Sequence, residues 1–132
     1  MQEKKKILII DDDKFLLNMY LMKFEKNGFE VKVAAGAEEA LDILKGEEYK
    51  PDILLMDLIM PVMDGLIMYD KIKKEKLAPG AVAVVLTNQG LLTDINRAKD
   101  LGVHGYIVKA TTIPSEVVEE VIEIYEKNKK KV

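Results

Sequence analysis

At 132 residues, with 48% hydrophobic and 33% charged side chains, the chain has the size and composition of one globular domain with a full core. No apolar run approaches the length of a membrane span, and residues 7–10 are too short for the core of a signal peptide. The absence of cysteine excludes disulfides, thiolate zinc sites and a cysteine nucleophile, and a formal net charge of -3 argues against nucleic acid as the main partner, so a cytoplasmic location is expected.

In chain order, Ile7-Leu8-Ile9-Ile10 is a continuously apolar strand that stops at Asp11, Asp12 and Asp13. Helix formers fill residues 14–26, and Asn27-Gly28 closes them. Phe15, Leu16, Leu17, Met19, Tyr20, Leu21, Met22 and Phe24 are so dense there that periodicity does not choose a buried face. Val31-Lys32-Val33-Ala34 alternates, as a strand with one wetter side should, and Ala37, Ala40, Leu41 and Leu44 recur at helical spacing. Ile53-Leu54-Leu55-Met56 is a second apolar strand, ending in Asp57, with the turn formers Pro61, Asp64 and Gly65 close behind. The spacing predicts a third helix over residues 66–76 with Met68, Tyr69 and Ile72 inward. After Pro79-Gly80 a third apolar strand, residues 82–86, ends at Thr87. Leu91, Ile95, Ala98 and Leu101 mark a weaker fourth helix stopped by Gly102, and residues 105–108 form a short strand ending at Lys109. Pro114 opens a last helix with the stripe Val117, Val118, Val121, Ile122 and Tyr125. The lysines at the two ends of the chain read as solvated termini.

Five strand–helix repeats predict an α/β fold, a doubly wound five-stranded parallel sheet formed by residues 1–132 as a single domain. Strands one, three and four, apolar throughout, belong inside the sheet; the alternating second strand and the short fifth belong at its edges. Right-handed crossovers then leave the order 2-1-3-4-5, which reverses direction between strands one and three and opens a crevice at their carboxyl ends. Asp11, Asp12 and Asp57 line it, and Thr87 and Lys109 end neighbouring strands on the same edge. One aspartate would suffice to cap the first helix, so three imply more. Carboxylates 4 Å apart repel by roughly 4 kcal/mol per pair at an effective dielectric near 20, and such a cluster calls for a cation. All-oxygen ligands with room for water select magnesium, or manganese, over zinc. The Lys109 charge and the Thr87 hydroxyl suit a phosphoryl group beside that metal, and a carboxylate nucleophile can form an aspartyl phosphate.

The pieces ILIIDDD, PDILLMDLIMPVMDG, VVLT and GYIVK occur in that order over nearly the whole chain. Together they resemble a response-regulator receiver domain, the phosphoacceptor module of two-component signalling, which has a flavodoxin-like fold. The resemblance implies that Asp57 accepts a phosphoryl group from a phosphohistidine on a sensor histidine kinase or phosphotransfer protein. It implies that Asp12, Asp57 and the backbone carbonyl of Ile59 hold magnesium, with Asp11 acting partly through water. Lys109 would pair with the phosphoryl group, Thr87 would hydrogen-bond it after moving, and Tyr106 would turn inward behind Thr87 as the switch. Asp13 carries over no role. The implied protein is a phosphoacceptor that catalyses its own phosphorylation and dephosphorylation, not an enzyme with a separate substrate. A downstream protein would read a surface change near the fourth helix, fifth strand and fifth helix, through which a homodimer could also form.

Two positions depart from the family pattern. Asn88 stands where a very small residue is usual, which narrows the approach to Asp57. Ala110 follows Lys109 in place of proline, and because a non-proline cis bond costs about 2.5–4 kcal/mol, the Lys109–Ala110 bond is expected to be trans. The side chains flanking the approach of a hydrolytic water are Ile59, which is apolar, and Gln89, which is flexible, so slow self-dephosphorylation is expected.

Rival functions fit less well. A phosphatase working through an aspartyl phosphate needs a second acid two residues after the nucleophile, where this chain has Ile59. A flavodoxin-like cofactor binder needs a phosphate loop of N–H groups and hydroxyls after strand one, where this chain has three aspartates. A non-phosphorylated receiver-like scaffold, or a protein-interaction module keeping only the fold, would not need all five polar site residues. With seven residues after Tyr125, no output domain is expected, and the protein should act by docking without direct nucleic-acid or membrane contact. His104, the chain's one histidine, offers no metal cluster and is expected at an exposed or edge position, while the methionines read as core filler or surface.

Overall fold

A computed structural model describes residues 4–46, 48–88, 91–109 and 111–129; the expectation placed on Gln89 lies outside them. The chain alternates β1 (Lys6–Ile10), α1 (Lys14–Lys26), β2 (Glu30–Ala34), α2 (Ala37–Lys45), β3 (Ile53–Met56), α3 (Gly65–Lys74), β4 (Val82–Thr87), α4 (Leu92–Asp100), β5 (Gly105–Val108) and α5 (Pro114–Asn128). A 3-10 turn at Lys109–Thr111, not anticipated from the sequence, follows β5. The strands pair in parallel in the order β2-β1-β3-β4-β5. Because strand side chains alternate, the continuous apolar runs serve two cores at once. Leu8, Ile10, Leu54, Met56, Ala83 and Val85 pack under α2, α3 and α4, whereas Ile7, Ile9, Ile53, Leu55, Val84 and Leu86 pack under α1 and α5. β2 alternates as expected, with Glu30 and Lys32 exposed and Val31 and Val33 half-buried.

The structure resolves the ambiguous first helix. α1 buries Leu17, Tyr20 and Phe24 and leaves Phe15 78% and Met22 58% exposed. Phe24 meets Phe29 edge-on, 5.3 Å between ring centroids, which fixes the turn into β2. α3 ends at Lys74, two residues earlier than the apolar spacing suggests, and Lys76 beyond it adopts a left-handed φ of 53°. α4 is the thinnest contact: Ala98 alone of its residues is buried, and Leu91 and Leu92 face solvent. Tyr49, absent from any sequence pattern, is buried with its hydroxyl 3.0 Å from the Ile7 carbonyl and 2.9 Å from that of Glu30, tying β1 to β2. Burial pushes its ionisation well above that of an ordinary phenol. No peptide bond among the described residues is cis, and the expectation for Lys109–Ala110 rests on Ala110, whose placement is not described. Among the described residues no helix is long and apolar enough to cross a membrane.

Candidate functional site

At the carboxyl edge of the sheet the ladders run one residue past β1 and β3. The Asp11 N–H donates to the Ala34 carbonyl at 3.1 Å and the Asp57 N–H to the Ile10 carbonyl at 2.9 Å. These bonds hold the two aspartate backbones side by side before any side-chain contact is made. Asp13 is the N-cap of α1, accepting from the N–H groups of Phe15 at 3.0 Å and Leu16 at 3.2 Å. Asp11 in turn accepts from the Asp13 N–H at 2.9 Å. One aspartate of the three thus caps the helix.

On the other side of Asp57, the Gly65 N–H donates to the Leu58 carbonyl at 2.8 Å, and a Cβ at Gly65 would collide with the Asp57 carbonyl oxygen. Asp64 caps α3 through the Ile67 N–H at 2.8 Å. The Asp-Gly pair therefore holds the loop after Asp57 against the start of α3, and only glycine permits that approach.

A pocket of about 280 Å³ lies above these strand ends, lined by Asp11, Asp12, Asp13, Leu16, Asp57, Ile59, Thr87, Asn88 and Lys109. Carboxylate oxygens of Asp11, Asp12 and Asp57 lie within 4.8 Å of one another. The Lys109 ammonium reaches down from β5 to 2.7 Å from Asp11 Oδ2 and 3.5 Å from Asp57 Oδ2. Burial alone would lower its pKa, but the hydrogen bond to Asp11 and the charges of Asp57 and Asp11 outweigh that and hold it above the ordinary lysine value. Asp57, 9% exposed, is pushed up to about 6, chiefly by burial. Lys109 opposes that rise, Asp11 adds to it, and the Leu58 and Ile59 N–H groups draw it back. At neutral pH Asp57 is therefore ionised and poorly solvated, the condition of a reactive carboxylate. Thr87 is 1% exposed and its Oγ1 has no hydrogen-bond partner among the described residues.

The expected site residues are brought together: Asp11, Asp12, Asp57, Thr87, Lys109 and Asn88 share one pocket, and Ile59, 54% exposed, stands on its rim. Tyr106 lies apart from the pocket, half-buried against the core under α2, α3 and α4. Sequence reasoning did not anticipate that Lys109 sits closer to Asp11 than to Asp57, a matter of side-chain reach that no motif encodes. Nor did it find that Asp64 also pairs, at 3.6 Å, with Arg97 of α4.

A divalent cation fits this chemistry. Three carboxylates against one ammonium leave two negative charges in a partly open, all-oxygen pocket, and hard cations take such ligands. Comparison with known proteins agrees with the geometry. A CheY-like response regulator receiver domain protein from Methanospirillum hungatei JF-1 superposes with a TM-score of 0.86 at 29% identity, covering 98% of this chain and 100% of that one. The class is that of a receiver. The response regulator receiver domain family matches residues 7–122, and the chain belongs to it. It is 33% identical over 112 residues to the chemotaxis protein CheY of Halobacterium salinarum, covering 84% of this chain and 89% of that protein. It is 34% identical over 106 residues to the probable transcriptional regulator ycf27 of Cyanophora paradoxa, covering 80% of this chain and 42% of that longer protein. The chain therefore spans less than half the length of such curated relatives. As a receiver domain it is a signalling module of two-component systems, a family that binds magnesium in an acidic pocket and works with histidine kinases or phosphotransfer proteins and downstream targets.

Proposed function

We propose that this receiver accepts a phosphoryl group on Asp57 from a phosphohistidine of a sensor kinase or phosphotransfer protein, in a magnesium-dependent reaction. The observation that carries the proposal is Asp57 itself: a carboxylate at the end of β3, buried and ionised at neutral pH, with Lys109 3.5 Å away and two further carboxylates within 4.8 Å. In the transfer an Asp57 oxygen forms the new O–P bond as the P–N bond to the imidazole breaks, and the electron pair returns to the imidazole nitrogen. Asp12, Asp57 and the Ile59 carbonyl would hold the magnesium directly, and Asp11 partly through water. When bound, the metal neutralises charge developing on the phosphoryl oxygens.

The chain's own groups supply the rest. Lys109 leaves Asp11 for a phosphoryl oxygen, a move favoured once a cation shares the Asp11 charge. Thr87, whose hydroxyl has no partner among the described residues, donates to a second phosphoryl oxygen. Tyr106 follows Thr87 inward and carries the change to the surface of α4, β5 and α5, where a downstream protein or a second copy would read it. Intact-mass spectrometry with a small acyl phosphate and magnesium tests this. One acid-stable, base-labile phosphoryl group is expected on the wild type and none on Asp57→Asn or in the presence of a chelator. Equal labelling of the Asn variant, or labelling indifferent to the chelator, would overturn the proposal.

A further inference from the structure

A second cavity opens at the opposite edge of the sheet, where α3 and α5 end and β4 begins. Its volume of about 420 Å³ exceeds that of the acceptor pocket and falls within the usual size of small-molecule sites, about 300–1,000 Å³. Its floor is apolar, made by the buried Tyr69, Ile72, Ala81 and Val82. Its polar lining comes from Lys73, Lys76, His104 and Asn128, and no carboxylate of the described residues lines it, although acidic residues outnumber basic ones in the chain, 23 to 20.

The lysines around the end of α3 divide into two pairs. Lys71 pairs with Glu75 at 3.9 Å and Lys74 with Asp70 at 3.0 Å, whereas Lys73 and Lys76, which line the cavity, pair with no described carboxylate. Cations at a helix C-terminus favour its dipole, which accounts for Lys71, Lys73 and Lys74. Lys76 is beyond the helix in a left-handed conformation, so the dipole does not account for it. The Lys73 ammonium is anchored on the Leu101 carbonyl at 2.5 Å, 5.7 Å from the Tyr69 ring centroid. His104 is held by two bonds to one residue: its N–H donates to the Ala83 carbonyl at 2.8 Å, and its Nδ1 accepts from the Ala83 N–H at 2.9 Å. The cavity thus combines an apolar floor with two lysines that no described carboxylate pairs with, beside a histidine whose ring is fixed by the backbone.

We propose that this cavity binds a small organic anion, an apolar ring or chain carrying one phosphate-like or carboxylate group. The anionic end would lie between Lys73 and Lys76, and the apolar part over Tyr69 and Ile72. The site is independent of the phosphoacceptor reading. It lies at the far end of β4, six residues long, roughly 17 Å from Thr87 at about 3.3 Å per residue.

The test uses phenylphosphonate, whose P–C bond cannot transfer a phosphoryl group, titrated into the full chain without magnesium at fixed pH. His104, the chain's one histidine, provides a ring-proton NMR signal that belongs to this cavity. A saturable shift with millimolar affinity is expected, with phenol and inorganic phosphate each about tenfold weaker. The double variant Lys73→Gln/Lys76→Gln should keep the starting His104 signal and bind about tenfold more weakly. A signal that does not saturate, phenol or inorganic phosphate acting as strongly as phenylphosphonate, or unchanged affinity in the variant each overturns the proposal. The ligand comparison is made on the wild type, so it stands even if the variant folds poorly.

Discussion

Thr87 carries a buried hydroxyl with no hydrogen-bond partner among the described residues, and an unsatisfied buried hydroxyl costs about 1–3 kcal/mol. Valine has nearly the same shape without that cost. Thr87→Val should therefore raise the stability of the unphosphorylated protein by about 1 kcal/mol, read as a higher urea midpoint at unchanged slope. The same variant should lose the Tyr106 movement proposed to follow phosphorylation, read in its ring-proton NMR signals, because it cannot bond the phosphoryl oxygen. A variant less stable than wild type would mean that the hydroxyl already has a partner in solution. Ile59 poses the converse case on the pocket rim, an exposed apolar side chain where a polar group could hold an attacking water. Hydrolysis of an aspartyl phosphate needs that water in line with the bond that breaks. Ile59→Asn should accordingly speed phosphoryl loss severalfold at fixed magnesium. Unchanged decay by the variant would show that Ile59 does not limit the rate.

At the scale of elements, legibility followed burial. β1, β3 and β4 lie inside the sheet, so their residues are apolar on both faces and the runs could be read directly; the strand order then followed from chain handedness. The convergence of Asp11, Asp12, Asp57, Thr87 and Lys109 followed from that order, since each ends or follows a strand on one edge. Elements that rest on fewer contacts were harder to read. α1 is apolar all round because Phe15 and Met22 face solvent, so spacing could not select the face defined by Leu17, Tyr20 and Phe24. Of the four residues marked for the stripe of α4 only Ala98 is buried; Ile95 and the C-cap Leu101 are half-buried and the N-cap Leu91 faces solvent. The end of α3 was overrun because Lys76 is a good helix former held in a left-handed turn by its surroundings. The second cavity was invisible for a related reason. No motif marks Lys73 and Lys76, and only the fold sets their neighbours Glu75 and Asp70 against other partners.

For the whole molecule, the acidic pocket links charge to stability. Burial raises Asp57 from its ordinary 3.8 to about 6, so between those values the native protein holds a proton that the unfolded chain has released. The Asp57 contribution to stability is therefore greatest below pH 4 and is lost as pH rises through about 6. Two pK units correspond to about 3 kcal/mol, which solvent at the open pocket reduces to about 1–2 kcal/mol. Lys109 is raised from its ordinary 10.5, so its contribution is fully present below that value and does not act in this window. Other carboxylates titrate there too, and the informative quantity is the difference between wild type and Asp57→Asn. With a chelator present, the Asn variant should gain about 1–2 kcal/mol on wild type between pH 4.5 and pH 7.5, measured by urea denaturation. Magnesium should stabilise wild type more at pH 7.5 than at pH 4.5, because the cation binds the ionised cluster and competes with the proton. It should stabilise the Asn variant less at either pH. A difference between the two proteins that does not change with pH would mean that Asp57 is ionised in the native state as readily as in the unfolded chain. In that case its reactivity would have to come from position alone.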